Sequence, residues 1–145
     1  MIKRSVSVAV AFAAGVACLA AVPSSSQAAV SAYPTADFDV PYGNTYAKGT
    51  VTFFNRGVAA TVSFKSVSAS DCRWVRVEAL NSRGHQIDAG SYGITPRVCG
   101  DAMTWDVRDV PADVPGGAAS VRVVLWSSST IDGSERPLAS QRVFP

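Results

Sequence analysis

The chain has 145 residues, of which 48% are hydrophobic, with 13 basic and 11 acidic side chains. Two of the basic residues, Lys3 and Arg4, lie in an N-terminal segment that we expect to be removed, which leaves equal numbers of both signs. A neutral chain with no run of Lys or Arg lacks the positive charge that binds nucleic acid, and it has no basic amphipathic helix for a membrane surface. We therefore predict neither nucleic acid nor a membrane as a partner of the mature protein.

The N-terminal segment predicts export. The two basic residues precede an uncharged apolar run over residues 5–22 and then small residues, which is the order of a secretory signal peptide. Small side chains at the last and third-to-last positions favour cleavage after Ala28, with a second site after Ala32. "GVAC" also places Cys18 after small residues, so a lipid anchor on this cysteine is the alternative. We predict a signal peptide over residues 1–28 and a secreted protein.

Removal of the signal peptide leaves an even pair of cysteines. In an oxidising compartment we expect Cys72 and Cys99 to form one disulfide, with two reduced buried thiols as the alternative. These two cysteines and the single histidine, His85, do not supply the four ligands of a structural zinc site. We predict no metal site and no cofactor.

Alternating apolar and polar residues predict β-strands along most of the mature chain. Residues 29–46 contain prolines and a glycine, and we expect an extended lead-in that can include one edge strand. "GTVTFFN" and "ATVSFKSV" then place β-branched and aromatic residues on one face, with a turn at "NRG" between them. "CRWVRVEAL" is the next strand, and "NSRG" predicts a tight turn into a returning strand, "HQIDAG".

The second half of the chain continues this pattern. Residues 90–101 are rich in glycine and are predicted to form a loop, and "AMTWDV" predicts a strand with Trp105 in the core beside Met103 and Val107. "PADVPGG" predicts a crossover between two sheets, and "ASVRVVLW" and "PLASQRVF" predict the last two strands. About seven short strands without helical periodicity predict an all-β fold, an antiparallel β-sandwich over residues 47–145, with a small β-barrel as the alternative.

The composition also carries a resemblance. Arginine outnumbers lysine ten to three, and together with "RSVSVAVAFAAGVACLAAVPSSSQAA" this resembles small secreted proteins of high-GC actinobacteria. "VRVEALNSRGHQID" and "VPGGAASVRVVLW" are similar to strand pairs of immunoglobulin-like and jelly-roll export modules. The resemblance implies an exported two-sheet sandwich and assigns no ligand-binding residues.

Two tryptophans give the leading candidate site. If the valines of "CRWVRVEAL" and "ASVRVVLW" face the core, Trp74 and Trp126 point the other way, beside Arg76 and Arg122. Trp and Arg dominate the energetics of protein interfaces, and aromatic planes also stack on sugar rings. These four residues predict a non-enzymatic module that binds an extracellular protein or polysaccharide.

Two alternatives use other residues. An inhibitor of a secreted protease or other hydrolase would insert the disulfide-tied loop 90–101, with Arg97 entering the active-site cleft, since a constrained loop loses little entropy on binding. A small hydrolase is disfavoured, because His85 follows a turn glycine and no G-x-S-x-G motif is present. The two glutamates, Glu78 and Glu135, are not a recognisable catalytic pair. We predict no catalytic residues.

Overall fold

The computed structural model describes residues 33–68 and 70–145. The predicted signal peptide, its two cleavage sites and Cys18 lie outside the described residues. Eight strands and no helix are formed by the residues described. The strands are β1 (Thr35–Tyr42), β2 (Thr45–Phe54), β3 (Gly57–Lys65), β4 (Asp71–Leu80), β5 (Tyr92–Ile94), β6 (Ala102–Pro111), β7 (Ser120–Ser129) and β8 (Glu135–Val143).

The strands form two antiparallel sheets of four strands each. The first sheet has the order β1-β2-β3-β6 and the second the order β5-β4-β7-β8. The predicted β-sandwich is confirmed, and the chain forms two sheets rather than one barrel. Strand β1 and the start of β2 come from the predicted lead-in at residues 29–46. The predicted crossover "PADVPGG" connects β6 of the first sheet to β7 of the second.

The core lies between the sheets and is built by alternate residues of each strand. In the first sheet Val51, Val62 and Phe64 are fully buried, and in the second sheet Val77 and Val123 are fully buried. Complete burial of such a side chain contributes about 1.5–3 kcal/mol relative to leaving it exposed. The side chains between them in sequence are therefore directed to the outer faces of the sandwich.

The predicted returning strand "HQIDAG" is wrong. Strand β4 ends at Leu80, and the side chain of Asn81 accepts the backbone N–H groups of Arg83 and His85, which closes a local turn. Gly84 completes this turn at a φ of 82°, a conformation that glycine adopts without steric cost. Only an isolated bridge follows, and the strand beside β4 is the three-residue β5.

The prediction that Trp105 lies in the core is also wrong, because its side chain is 44% exposed. Trp105 lies opposite the buried Val62, so its position in the register faces inward. However, β6 is an edge strand. The short strand β5 of the second sheet packs through Gly93 against Val107 and Val110, further along β6, and not against Trp105. A strand pattern predicts which side a residue faces and not whether a second sheet extends over it.

The predicted disulfide between Cys72 and Cys99 is confirmed. It connects the start of β4 to the loop that precedes β6, with 4.3 Å between the Cα atoms. Beside it, Arg73 and Val98 exchange two backbone hydrogen bonds of 2.8 Å. The loop is therefore fixed along the edge of β4, next to the outer face of the second sheet.

Candidate functional site

The four predicted site residues lie together on the outer face of the second sheet, which we call the arginine–aromatic face. Register places Trp74 of β4 directly opposite Trp126 of β7 and places Glu78 opposite Arg122. Arg76 lies between Trp74 and Glu78 on the same side of β4. The sequence pattern thus predicted correctly which side of the sheet these residues occupy.

The two tryptophans are stacked on each other. Their ring centroids are 6.0 Å apart and their planes differ by 14°. The guanidinium of Arg97 lies 4.4 Å above the Trp74 ring, and Trp74 is only 6% exposed although it is outside the core. Trp126 is half-buried and lines a cleft of about 200 Å³. The sequence suggested two exposed tryptophan rings. In the structure Trp126 is partly exposed and Trp74 is covered.

Arg97 is held against the face by several contacts. Besides the Trp74 ring, its guanidinium contacts the Glu135 carboxylate and lies 3.4 Å from Ser128 Oγ. A protease inhibitor directs its specificity side chain outward into the cleft of the enzyme. The side chain of Arg97 instead folds back on its own domain, so the structure gives the inhibitor alternative no support.

Glu78 organises the other end of the face. Its side chain is 5% exposed, and its Oε2 accepts a hydrogen bond from Nε of Arg122 at 2.6 Å and lies 2.6 Å from Nη2 of the same guanidinium. Nε of Arg76 lies 3.0 Å from Oε1 as an ion pair without hydrogen-bond alignment. Arg76 also stacks 4.1 Å above the Tyr92 ring. One buried carboxylate thus fixes the positions of two guanidinium groups, and removing such a partner is costly because a charge is left unpaired.

Two members of the face were missed at the sequence level, Arg142 and Tyr92. Arg142 of β8 lies directly opposite Arg122, and its Nε donates to Ser120 Oγ at 2.8 Å. The sequence alternation identifies both as strand residues, but only the strand register shows which neighbours they meet. The chain has no basic run, yet the fold brings four arginines onto one surface, and these are Arg76, Arg97, Arg122 and Arg142.

The cleft on this face has an unused hydrogen-bond donor. It lies between Arg76, Arg97, Tyr92 and Trp126. The Nε1 atom of Trp126 is buried and has no acceptor among the described residues. Buried donors in folded proteins nearly always have a partner, so this group is an exception that a ligand or an ordered water would resolve.

A larger groove lies on the other sheet. It has a volume of about 680 Å³ and runs between β2, β3 and β6 on the outer face of the first sheet. Two of its charged side chains are paired with each other, since Asp106 accepts a hydrogen bond from Arg108 at 3.0 Å, as well as one from Thr61 at 2.9 Å. These bonds, with that of Arg108 the stronger, hold the pKa of Asp106 below its ordinary value. We rank this groove second because the charges of Asp106 and Arg108 are exposed and paired with each other.

Groups associated with catalysis or metals are scattered. His85 is exposed in the turn after β4, distant in register from the tryptophan pair. Within the described residues no three His, Cys, Asp or Glu side chains come close enough to hold a metal ion.

In the described part of the chain no helix is long and apolar enough to cross a membrane. Comparison with protein-family models, with curated proteins and with solved structures finds no match to this chain.

Proposed function

We propose that this protein is an exported, non-enzymatic binding module that binds an extracellular polysaccharide or protein through its arginine–aromatic face. The observation that carries this proposal is the buried Glu78 carboxylate, which holds Arg76 and Arg122 in fixed positions on a rigid sheet. A site whose side chains are held in place loses less conformational entropy on binding than a site of free arginines. Arginine and tryptophan are also the residue types that contribute most to binding energy at interfaces.

Export is supported by two independent features. Residues 1–28 have the pattern of a cleavable signal peptide. The disulfide between Cys72 and Cys99 belongs to a class of bond that forms and persists in oxidising, extracellular compartments. A lipid anchor through Cys18 is the alternative, and it places the same domain at the outer surface of the cell.

The chemistry of the face favours binding over catalysis. Its two carboxylates, Glu78 and Glu135, are each paired with arginine. A guanidinium held in such a pair keeps further N–H groups that can bind a ligand. The face can therefore hold a ligand through charge and stacking.

A retention assay tests the proposal. The mature protein is passed over chitin, cellulose, isolated cell-wall material and immobilised culture-medium proteins. The Trp126→Ala variant should lose at least about tenfold in affinity for the retaining material, because Trp126 lines the cleft and stacks on Trp74.

Trp105→Ala provides the matched control. It removes the same side chain from the edge of the other sheet, where Trp105 is exposed. Equal losses in the two variants, or unchanged retention of Trp126→Ala, would exclude this face as the binding surface. Circular dichroism of each variant establishes that the loss is not due to unfolding.

A further inference from the structure

We infer that the ligand of the arginine–aromatic face is an acidic polysaccharide, whose repeated carboxylate or sulfate groups pair with the arginines of the face. This inference rests on the proposed function and specifies the chemistry of the ligand at the same site. It is carried by the distribution of charge, the remaining hydrogen-bond donors of the guanidinium groups and the size of the cleft.

Positive charge is concentrated on this face. Four arginines stand against only two glutamates there, although the mature chain as a whole has equal numbers of basic and acidic residues. On the outer face of the first sheet the charges are interspersed, since Asp106 pairs with Arg108 and Asp39 lies opposite Lys48. The arginine–aromatic face therefore attracts anions, while the outer face of the first sheet has no comparable excess of positive charge.

The arginines keep donors for a ligand. A guanidinium has five N–H groups, and Arg142 uses one of them on Ser120 Oγ, with no carboxylate at ion-pair distance within the described residues. Arg122 remains 45% exposed even while it is bound to Glu78. These two arginines are direct neighbours across β7 and β8, and like charges in that arrangement destabilise a sheet. An anionic group bound beside them would relieve this repulsion.

The positions of the arginines fit an extended polymer. Arg122 lies opposite Glu78 of β4, and Arg76 lies two residues from Glu78 on the same strand. Trp74, which carries the guanidinium of Arg97 over its ring, lies two residues beyond Arg76. Two residues of a strand span about 7 Å, so cationic groups recur along the face at about this interval. A polymer with anionic groups at regular intervals can contact several of these arginines at once.

The size of the cleft favours a glycan over a protein or a nucleic acid. At about 200 Å³ it is smaller than the sites that enclose a drug-sized ligand and holds a single ring. The partly exposed Trp126 and the exposed Tyr92 offer apolar ring surface for a sugar beside the charged groups. Duplex DNA carries one charge about every 1.7 Å, and the rest of the mature chain, with seven basic and nine acidic residues, gives such a ligand no extended basic track.

The test uses the mature, disulfide-bonded protein and four soluble probes. Polygalacturonate supplies carboxylates, and heparin supplies sulfates. Dextran is a neutral glycan, and duplex DNA is an anionic polymer that is not a polysaccharide. Binding is followed by tryptophan fluorescence, and we expect one of the two acidic glycans to bind at least about tenfold more tightly than dextran or DNA. Raising the ionic strength from about 0.05 M to about 0.5 M should weaken this binding several-fold, since it screens exposed charges.

Substitutions assign the binding to the face. Arg142→Gln should weaken binding of the acidic glycan about threefold to fivefold, in line with the loss of one exposed ion pair. Arg108→Gln removes the same charge from the opposite face, where Arg108 is 73% exposed, and should leave binding unchanged. Arg142→Lys keeps the charge and should restore most of the affinity. Arg142 is exposed and ties no buried carboxylate, so these variants retain the fold, which circular dichroism verifies.

The outcomes separate this inference from the proposed function. Equal binding of dextran and the acidic glycans, tightest binding of DNA, or an unchanged affinity of Arg142→Gln would overturn the acidic polysaccharide. Absence of binding to all four probes would also overturn it. In each case the proposed function still stands if Trp126→Ala loses retention on another extracellular material and Trp105→Ala does not. Preference for polygalacturonate or for heparin identifies the anionic group.

Discussion

The outer faces of the two sheets use the same kind of ion pair in different surroundings. Glu78 and Arg122 lie 2.6 Å apart on the second sheet, and Asp106 and Arg108 lie 3.0 Å apart on the first. The side chain of Glu78 is 5% exposed, whereas that of Asp106 is 46% exposed. A buried carboxylate must keep its partner, whereas an exposed pair contributes little because water and salt replace it. Burial therefore distinguishes a fixed site from ordinary surface charge.

The tryptophans show the same contrast. Trp74 and Trp126 lie on β4 and β7, the two central strands of their sheet, and each is supported by neighbours on both sides. Trp105 lies on the edge strand β6 and is 44% exposed. Aromatic residues on central strands can stack into a ladder with arginine, while one at an edge has neighbours on one side only.

The largest expected effect follows from removing the disulfide that holds the loop of Arg97. Replacing both Cys72 and Cys99 by serine should lower the free energy of unfolding by about 3.5 kcal/mol, because the unfolded chain is no longer restricted by a cross-link. The loop would also lose its fixed position beside β4, and Arg97 would cover Trp74 less completely. Urea unfolding measures the first effect, and iodide quenching of fluorescence in a Trp105→Phe background measures the second.

The first sheet has no such cross-link among the residues described. A loss of less than about 1 kcal/mol, with unchanged quenching, would show that the two backbone bonds between Arg73 and Val98 suffice to hold the loop.

The next largest effect concerns the buried carboxylate. Glu78→Gln keeps the shape of the side chain and removes its charge, which leaves Arg76 and Arg122 without their shared partner. We expect a loss of about 2 kcal/mol in the free energy of unfolding, measured by urea denaturation. Glu135→Gln is the control, since Glu135 also contacts an arginine, Arg97, but is 45% exposed. That change should cost less than about 1 kcal/mol. Equal costs would mean that burial does not distinguish the two pairs.

A smaller effect should arise at β5, the short strand that carries Tyr92. A Cβ added at Gly93 would overlap Val107 and lie 2.9 Å from a methyl group of Val110. Gly93→Ala should therefore displace β5 and lower the free energy of unfolding by about 1.5 kcal/mol, as overpacking does. The displaced Tyr92 would lose its stacking on Arg76, which nuclear magnetic resonance of the ring protons can detect.

Gly90→Ala is the matched control for this change. Gly90 lies just before β5, and the nearest atom to an added Cβ there is a carboxylate oxygen of Asp88 at 3.3 Å. We expect a change within about 0.5 kcal/mol at this position. If both alanine variants behaved alike, close packing of β5 on β6 would not be what positions Tyr92.

The sequence predicts the β-sandwich and the face of the sheet on which a side chain lies. It predicts less well whether that side chain is covered and which side chains it contacts. Alternation identifies Val75 and Val77 as core residues and directs Trp74 outward, because successive side chains of a strand point to opposite faces. It cannot show that Arg97 covers Trp74, since that contact depends on where a loop distant in sequence is fixed. It also cannot place Arg142 beside Arg122, because the pairing of β7 and β8 includes a register shift. The register and the loop therefore add Arg97 and Arg142 to the surface that the sequence identified from Trp74 and Trp126.

The smallest effect concerns Asp106, the exposed carboxylate of the first sheet. Hydrogen bonds from Arg108 and, more weakly, from Thr61 hold the pKa of Asp106 below its ordinary value, so the folded state favours the ionised carboxylate. The stabilisation is present above the ordinary pKa of aspartate and is lost as the pH falls through the lower pKa of the folded state. Asp106→Asn should thus lower the thermal unfolding midpoint slightly at about pH 7, and the difference should vanish near about pH 2. In an Arg108→Gln background the difference at neutral pH should shrink, because the stronger of the two donors is gone. A difference that persisted in acid would show that the amide disturbs packing rather than charge, and the contrast between exposed and buried carboxylates would then rest on Glu78 alone.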